Sequence, residues 1–252
     1  MSSLLKTRSE GNQQKQASPQ EQQLKIEEVR ELLGDLPTEM PSFLSDGTIR
    51  RFLREKNWSM EQATKALKEA VKWRRRFKPE KICWSLTSTK EHIKQLVYNL
   101  EILALSSEDA QEENVVCMCD FSGWTLSTTP LWETRESLYI IQNYYPGLIG
   151  AAILSNPPKI FESFWKIVKH FIEPTLYDKV KFVYSNNSYS QRILADMFDL
   201  DKLEFAFGGR NTASLDITKY SERMRRGDQI RGACKDASGT ISPSGQRIQS
   251  TT

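Results

Sequence analysis

The sequence predicts an α/β fold in which a helical N-terminal unit precedes a lobe built on a mostly parallel sheet. Three observations carry that prediction. Apolar residues at helical spacing, set between capping signals, fill the first third of the chain. Short apolar runs at Val115 to Cys119 and Leu148 to Leu154, and an alternating run at Val180, Phe182 and Tyr184, then fall between further helical segments. Strand, helix, strand, helix, strand in units of this length is the pattern of parallel strands joined by right-handed crossovers.

Taken in order, residues 1–17 are polar and rich in Gln and Ser, and are expected to be disordered because they have nothing to bury. Ser18, Pro19 and Glu21 then occupy the cap, first and third positions of a helix that carries Leu24, Ile26, Val29, Leu32 and Leu33 and ends at Gly34. Asp46 is the expected cap of a second helix with Ile49, Phe52 and Leu53. A capping box from Ser59 to Gln62 opens a third, with Ala63, Ala66, Ala70, Trp73 and Phe77 on one face and Pro79 beyond its end. Ile93, Leu96, Val97, Leu100 and Leu103 predict a helix from Thr89 to Leu105, followed by an acidic loop from Ser106 to Asn114. Val115 to Cys119 is then expected as a buried parallel strand. Thr129 and Pro130 start the next helix, which runs through Tyr144. After the last strand come a helix from Ser190 to Phe198, a Gly208–Gly209 turn needing positive φ, and a short helix from Ile217 to Met224. The expected division is a disordered 1–17, a helical unit 18–84, a lobe 85–226 and a flexible tail 227–252, rich in Gly, Ser, Thr and basic residues.

Composition narrows the function. The chain has 252 residues, 38% hydrophobic and 27% charged, enough for one full core and a smaller unit. No apolar run approaches the ~20 residues of a membrane span, and the first residues lack a signal-peptide core, so a cytoplasmic protein is expected. Cys83, Cys117, Cys119 and Cys234 are too few and too scattered for a disulfide framework and fit a reducing compartment. A net charge of +3 does not argue for nucleic acid. The basic clusters Arg50, Arg51, Arg54, Lys56 and Lys72, Arg74, Arg75, Arg76, Lys78 read as solvated helix faces or as contacts to anionic membrane or phosphate.

The segment between the second and third strands is unusually aromatic. At about 100° per residue, Ile160, Phe161, Phe164, Trp165, Ile167, Val168, Phe171 and Ile172 share one arc of roughly 160°. Lys159, Glu162, Ser163, Lys166, Lys169 and His170 make the other face. Such a helix packs on a sheet as a crossover, or lies against lipid with its basic face toward headgroups.

No catalytic constellation is present. There is no phosphate loop, no G-x-G-x-x-G after a strand and no G-x-S-x-G elbow. His92 and His170 read as ordinary helix histidines, and Cys117 and Cys119 as small packing residues on one face of a strand rather than metal ligands. Asp120 reads as a turn residue. Neither a catalytic residue nor a metal site is assigned, and a non-enzymatic role is expected.

Two blocks resemble a known family. DGTIRRFLREKNWSMEQATKALKEAVKWRRRF (residues 46–77) is similar to the helical N-terminal unit of CRAL-TRIO proteins. The ordered series NYYPGLIG, LSNPPKIF, KHFIEP, KVKFVYS and FGG within residues 120–209 resembles their lipid-binding lobe, nearest to the phosphatidylinositol-transfer subgroup. The resemblance implies one phospholipid, phosphatidylinositol or a relative, held as ligand with no other cofactor, and exchanged between membranes by a cytoplasmic monomer that visits membrane surfaces transiently. It makes the helix from Lys159 to Ile172 a mobile gate whose lipid-facing residues are Phe161, Phe164, Trp165, Val168, Phe171 and Ile172. It makes Lys56 and Lys179 the headgroup-binding cations.

Three departures from the family are visible. Its Glu after the Tyr-Pro pair is Gly147 here, and its Thr before the strand lysine is Leu176. The strand Ser and Thr that hold choline in some relatives fall at Val115 and Cys117. A strand pair between the N-terminal helices and KQLVYNLEILAL is missing, since Trp84 runs almost directly into Ser85 and Thr87. This is the pattern of an internally shortened form, such as an alternative splice product. Two rival readings follow: a shortened, lipid-incompetent protein acting through protein contacts, and an α/β enzyme that would need a motif the sequence lacks.

Overall fold

The computed structural model describes residues 18–84, 91–109 and 115–233. The expected disorder of residues 1–17, the helix start at Thr89, the junction at Ser85, the end of the acidic loop and the tail from Cys234 lie outside the described residues.

Ser18 caps the first helix, α1 (Pro19–Leu32): its hydroxyl accepts from the Glu21 amide at 3.2 Å, and its own amide donates to the Glu21 carboxylate at 2.7 Å. Ile26, Val29 and Leu33 are buried, while Leu24 and Leu32 stay exposed. A four-residue helix, α2 (Leu36–Glu39), follows on Pro37 at its start; it is too short for periodicity to announce. Helix α3 (Asp46–Glu55) is capped by Ser45 rather than Asp46, because the Ser45 hydroxyl reaches the Thr48 amide at 3.3 Å. Helix α4 (Met60–Phe77) begins at Ser59 as expected. Together α1, α3 and α4 close over one core of Ile26, Val29, Leu44, Ile49, Phe52, Leu53, Leu67 and Val71.

The lobe contains α5 (His92–Asp109), β1 (Val115–Asp120), α6 (Leu131–Tyr144), β2 (Ile149–Ser155), α7 (Phe161–Val168), α8 (Pro174–Tyr177), β3 (Val180–Val183), α9 (Ser188–Met197) and α10 (Ile217–Arg231). The sheet is parallel, in the order β1-β2-β3, with Cys117 opposite Ala152 and Leu154 opposite Phe182. Strand β1 departs from expectation. It stands at the sheet edge with Val115 to Cys119 only half-buried, whereas β2 buries Ala151 and Ile153 to Ser155. Among the described residues nothing pairs with its outer side.

Trp73 ties the N-terminal unit to the lobe, stacked on Phe77 at 4.9 Å and on Tyr144 of α6 at 4.2 Å. Helix α10 corrects the expected tail, because it continues through Gly227 to Arg231. Its anchor is Asp228, 1% exposed, which accepts from the Trp84 amide at 2.5 Å and the Tyr98 hydroxyl at 3.0 Å and pairs with Arg231. Those bonds to chain more than a hundred residues away outweigh the weak helix propensity of Gly227. Gly208 has the positive φ foreseen for the turn, but Gly209 does not; a Cβ at Gly209 would lie 1.9 Å from the Leu203 carbonyl oxygen, so close approach is what requires glycine there. Cys83 is disulfide-bonded, which corrects the expectation of four reduced cysteines; Cys117 and Cys119 are free.

Candidate functional site: gate helix, headgroup crevice and the thiols beneath

Helix α7 lays its aromatic face on the sheet. Phe161, Phe164 and Val168 are buried with Leu154, and Cys119, Phe121, Trp124 and Phe182 pack around them. Phe161 meets Phe121 edge-on at 4.5 Å and Trp124 at 5.1 Å, while Trp165 meets Phe182 at 5.2 Å. The face expected to meet lipid is therefore filled by the protein's own rings. The α-helix ends at Val168 and tightens into a 3-10 turn over Lys169–Phe171. Ile172 still packs against the α7 cluster, and Phe171 and Ile172 are both only half-buried. Ile160 and Ile167 remain about half exposed, at 54% and 49%. Gln142 of α6 pins the far end: its amide donates to the Phe171 carbonyl at 3.0 Å and accepts from the Glu173 amide at 2.6 Å. Nothing in local spacing distinguishes Gln142 from other helix glutamines.

Lys179 stands half-buried at the head of β3, held by its carbonyl, which accepts from the Ala152 amide at 2.9 Å. It lines a crevice of about 20 Å³ together with Gly147, Leu176, Tyr145, Gln142 and Glu55. The structure thus brings Lys179, Gly147 and Leu176 together on one crevice. Lys56 ends α3 one residue beyond Glu55 and does not line the crevice. Gly147 has φ +68°, a conformation in which any side chain would be strained. Glu55, on the crevice wall, accepts from the exposed Thr175 hydroxyl. A volume near 20 Å³ holds about one water molecule.

On the α7 side of β1, the sulfurs of Cys117 and Cys119 lie 3.8 Å apart. A hydrogen bond from Cys119 draws the Cys117 thiol down to about 7, and the Cys119 thiol is pushed up in turn. Alkylation of Cys117 by iodoacetamide should therefore be slow in acid and rise through a midpoint near pH 7. In Cys119→Ala the midpoint should move up to the ordinary thiol value of about 8.5, as followed by peptide mass spectrometry. Equal midpoints in the two proteins would show that the sulfurs do not share a proton. Asp120, next along the strand, accepts from the Ser122 amide at 2.9 Å and hydroxyl at 2.7 Å, the turn role its position suggested. Among the described residues no helix is long and apolar enough to cross a membrane, and no group of three or more His, Cys, Asp or Glu could hold a metal ion.

With this geometry in place, comparison with known proteins is specific. Residues 70–209 match the CRAL/TRIO domain. The SEC14 cytosolic factor of Kluyveromyces lactis is 25% identical over 245 residues, spanning 77% of this chain and 80% of that protein. A CRAL-TRIO domain-containing protein of Schizosaccharomyces pombe is 24% identical over 200 residues, 66% of this chain but 19% of that protein. Among solved structures, the crystal structure of Sfh5 superimposes with a TM-score of 0.53 at 13% identity, covering 85% of this chain and 99% of the other.

Proposed function

Since the chain belongs to the CRAL/TRIO domain family, matched over residues 70–209, we propose that it binds one phospholipid, of the phosphatidylinositol type, and exchanges it between membranes. The observation that carries this reading is the convergence of Lys179, Gly147 and Leu176 on one crevice beside the end of α3, next to an amphipathic helix clamped at one end by Gln142. In this reading α7 is the gate, with Phe161, Phe164, Trp165 and Val168 leaving the sheet for lipid and Phe171 and Ile172 forming the hinge side. Lys179 and Lys56 would pair with the phosphate. The protein acts as a cytoplasmic monomer that touches membranes transiently through the Lys159, Lys166 and Lys169 side of α7.

The test is mass spectrometry of organic extracts from gently purified protein, alongside a vesicle transfer assay. Stoichiometric phosphatidylinositol is expected. Lys179→Ala should weaken its retention by about 1–3 kcal/mol, the value of a charged hydrogen bond to phosphate, with the fold intact by circular dichroism. Glu55→Gln should act the opposite way, since it removes the negative charge that faces the phosphate. A second reading is favoured by the filled aromatic face of α7 and the open edge of β1: a shortened form that acts through protein contacts. Extracts free of phospholipid, with no transfer, would establish that alternative.

A further inference from the structure

Cys117 and Cys119 play no part in the lipid reading, yet they are free thiols whose sulfurs lie 3.8 Å apart. Two positions apart on β1, they share one face of the strand, while Val116 and Met118 pack on the other. Cys119 borders the cluster under α7, and Cys117 stands opposite Ala152, whose side chain is a single methyl group. Both cysteines are half-buried, on a strand whose outer side has no strand partner among the described residues. Thiols so placed are open to small solutes, unlike thiols sealed in a core.

Two strand rises of ~3.3 Å set the two Cα atoms roughly 6.6 Å apart. That is near the upper end of the span a disulfide tolerates, about 4.4–6.8 Å. Closing the bond draws the sulfurs from 3.8 Å to about 2.05 Å, which β1 accommodates best as an edge strand that already slips register between Val115 and Val116. We propose that Cys117 and Cys119 are a reversible oxidation site, at which a hydroperoxide converts the two thiols into a disulfide between them. The Cys117 thiol, drawn down to about 7 by the Cys119 hydrogen bond, supplies thiolate at neutral pH. Its sulfur attacks one peroxide oxygen: the S–O bond forms, the O–O bond breaks, and the departing hydroxide takes up a proton and leaves as water. The Cys119 sulfur then attacks the sulfenic acid on Cys117. The S–S bond forms, the S–O bond breaks, and the Cys119 proton leaves with the hydroxyl as a second water. Two thiols and one hydrogen peroxide thus give one disulfide and two waters. A bond strained across a single strand is readily reduced again, and this makes the change reversible.

The test treats the full chain with one equivalent of hydrogen peroxide and maps the tryptic peptide that carries both cysteines by mass spectrometry. That peptide is expected to lose two hydrogens and to resist iodoacetamide, and dithiothreitol should restore both thiols. In Cys119→Ser the bond cannot close, so Cys117 should instead be trapped by dimedone as the sulfenic acid. If that variant does not fold, phenylarsine oxide probes the native chain, because its arsenic bridges two adjacent thiolates. One arsenical per chain should protect both cysteines from iodoacetamide, and should be released by a dithiol but not by a monothiol. The proposal is overturned if both cysteines of the native chain stay open to iodoacetamide after peroxide. It is equally overturned if the native chain yields the dimedone adduct in place of the disulfide, or a disulfide between two chains. Lipid content is no part of this readout, so its failure leaves the transfer proposal standing.

Discussion

Glu101→Ala is expected to destabilise the protein by about 3–5 kcal/mol, because it strands a buried guanidinium. Arg74 is 7% exposed and Glu101 8%. Burial alone would lower the Arg74 guanidinium, but the Glu101 hydrogen bond and charge carry it up instead. Burial also pushes the Tyr145 hydroxyl up, and the neighbouring Glu101 charge adds to that rise. Both shifts favour a charged guanidinium and a neutral phenol. Removing the carboxylate leaves the cation and the phenolic O–H without their acceptor in the seam where α4, α5 and α6 meet. Chemical denaturation should show the loss in the midpoint with little change in slope. The double variant Arg74→Leu, Glu101→Leu should recover most of the stability, since two apolar groups need no partner there. A single Glu101→Ala variant as stable as the parent would mean that water reaches Arg74 and that the seam is not dry.

Much of this architecture is legible from sequence because its determinants are local. Ser18 and Ser59 start helices through bonds to residues three positions on, and Gly, Pro and apolar spacing delimit α3, α4, α6 and the three strands. The four-residue helices α2 and α8 are shorter than the period that would reveal them. Long-range polar bonds leave no local signal. Arg74 and Glu101 are 27 residues apart, and Tyr98 and Asp228 are 130 apart. Asp228 consequently looks like part of a tail although it is among the most buried groups of the protein. The wheel identifies the apolar arc of α7 but not what the arc faces, which depends on Phe121, Trp124 and Phe182 from two other segments. Lys179, Gly147 and Leu176 line one crevice. The Glu55–Thr175 contact joins residues 120 apart and could not have been read beforehand.

Inserting a family-typical strand pair between Trp84 and Ser85 should raise both stability and lipid transfer, and this is the result most particular to this chain. Strand β1 offers the physical reason. In the sheet order β1-β2-β3 its outer side has no strand partner among the described residues, and Val115 to Cys119 are all half-buried where a central parallel strand would be covered. An open edge of this kind presents unpaired amides and carbonyls together with apolar side chains, which favours association between copies. Pairing the edge and covering about two large side chains at roughly 1.5 kcal/mol each contributes about 3 kcal/mol. For a chain of this size that is a rise in melting temperature of about 6–12 °C. Transfer should increase for a related reason. With β1 no longer at the edge, the wall beneath Phe161 and Phe164 becomes rigid enough for α7 to lift away without the sheet unravelling, so a lipid can be held rather than lost. Scanning calorimetry and a vesicle transfer assay on the grafted and native chains decide the matter. Equal melting temperatures and equal transfer rates would mean that the native chain protects β1 by another route.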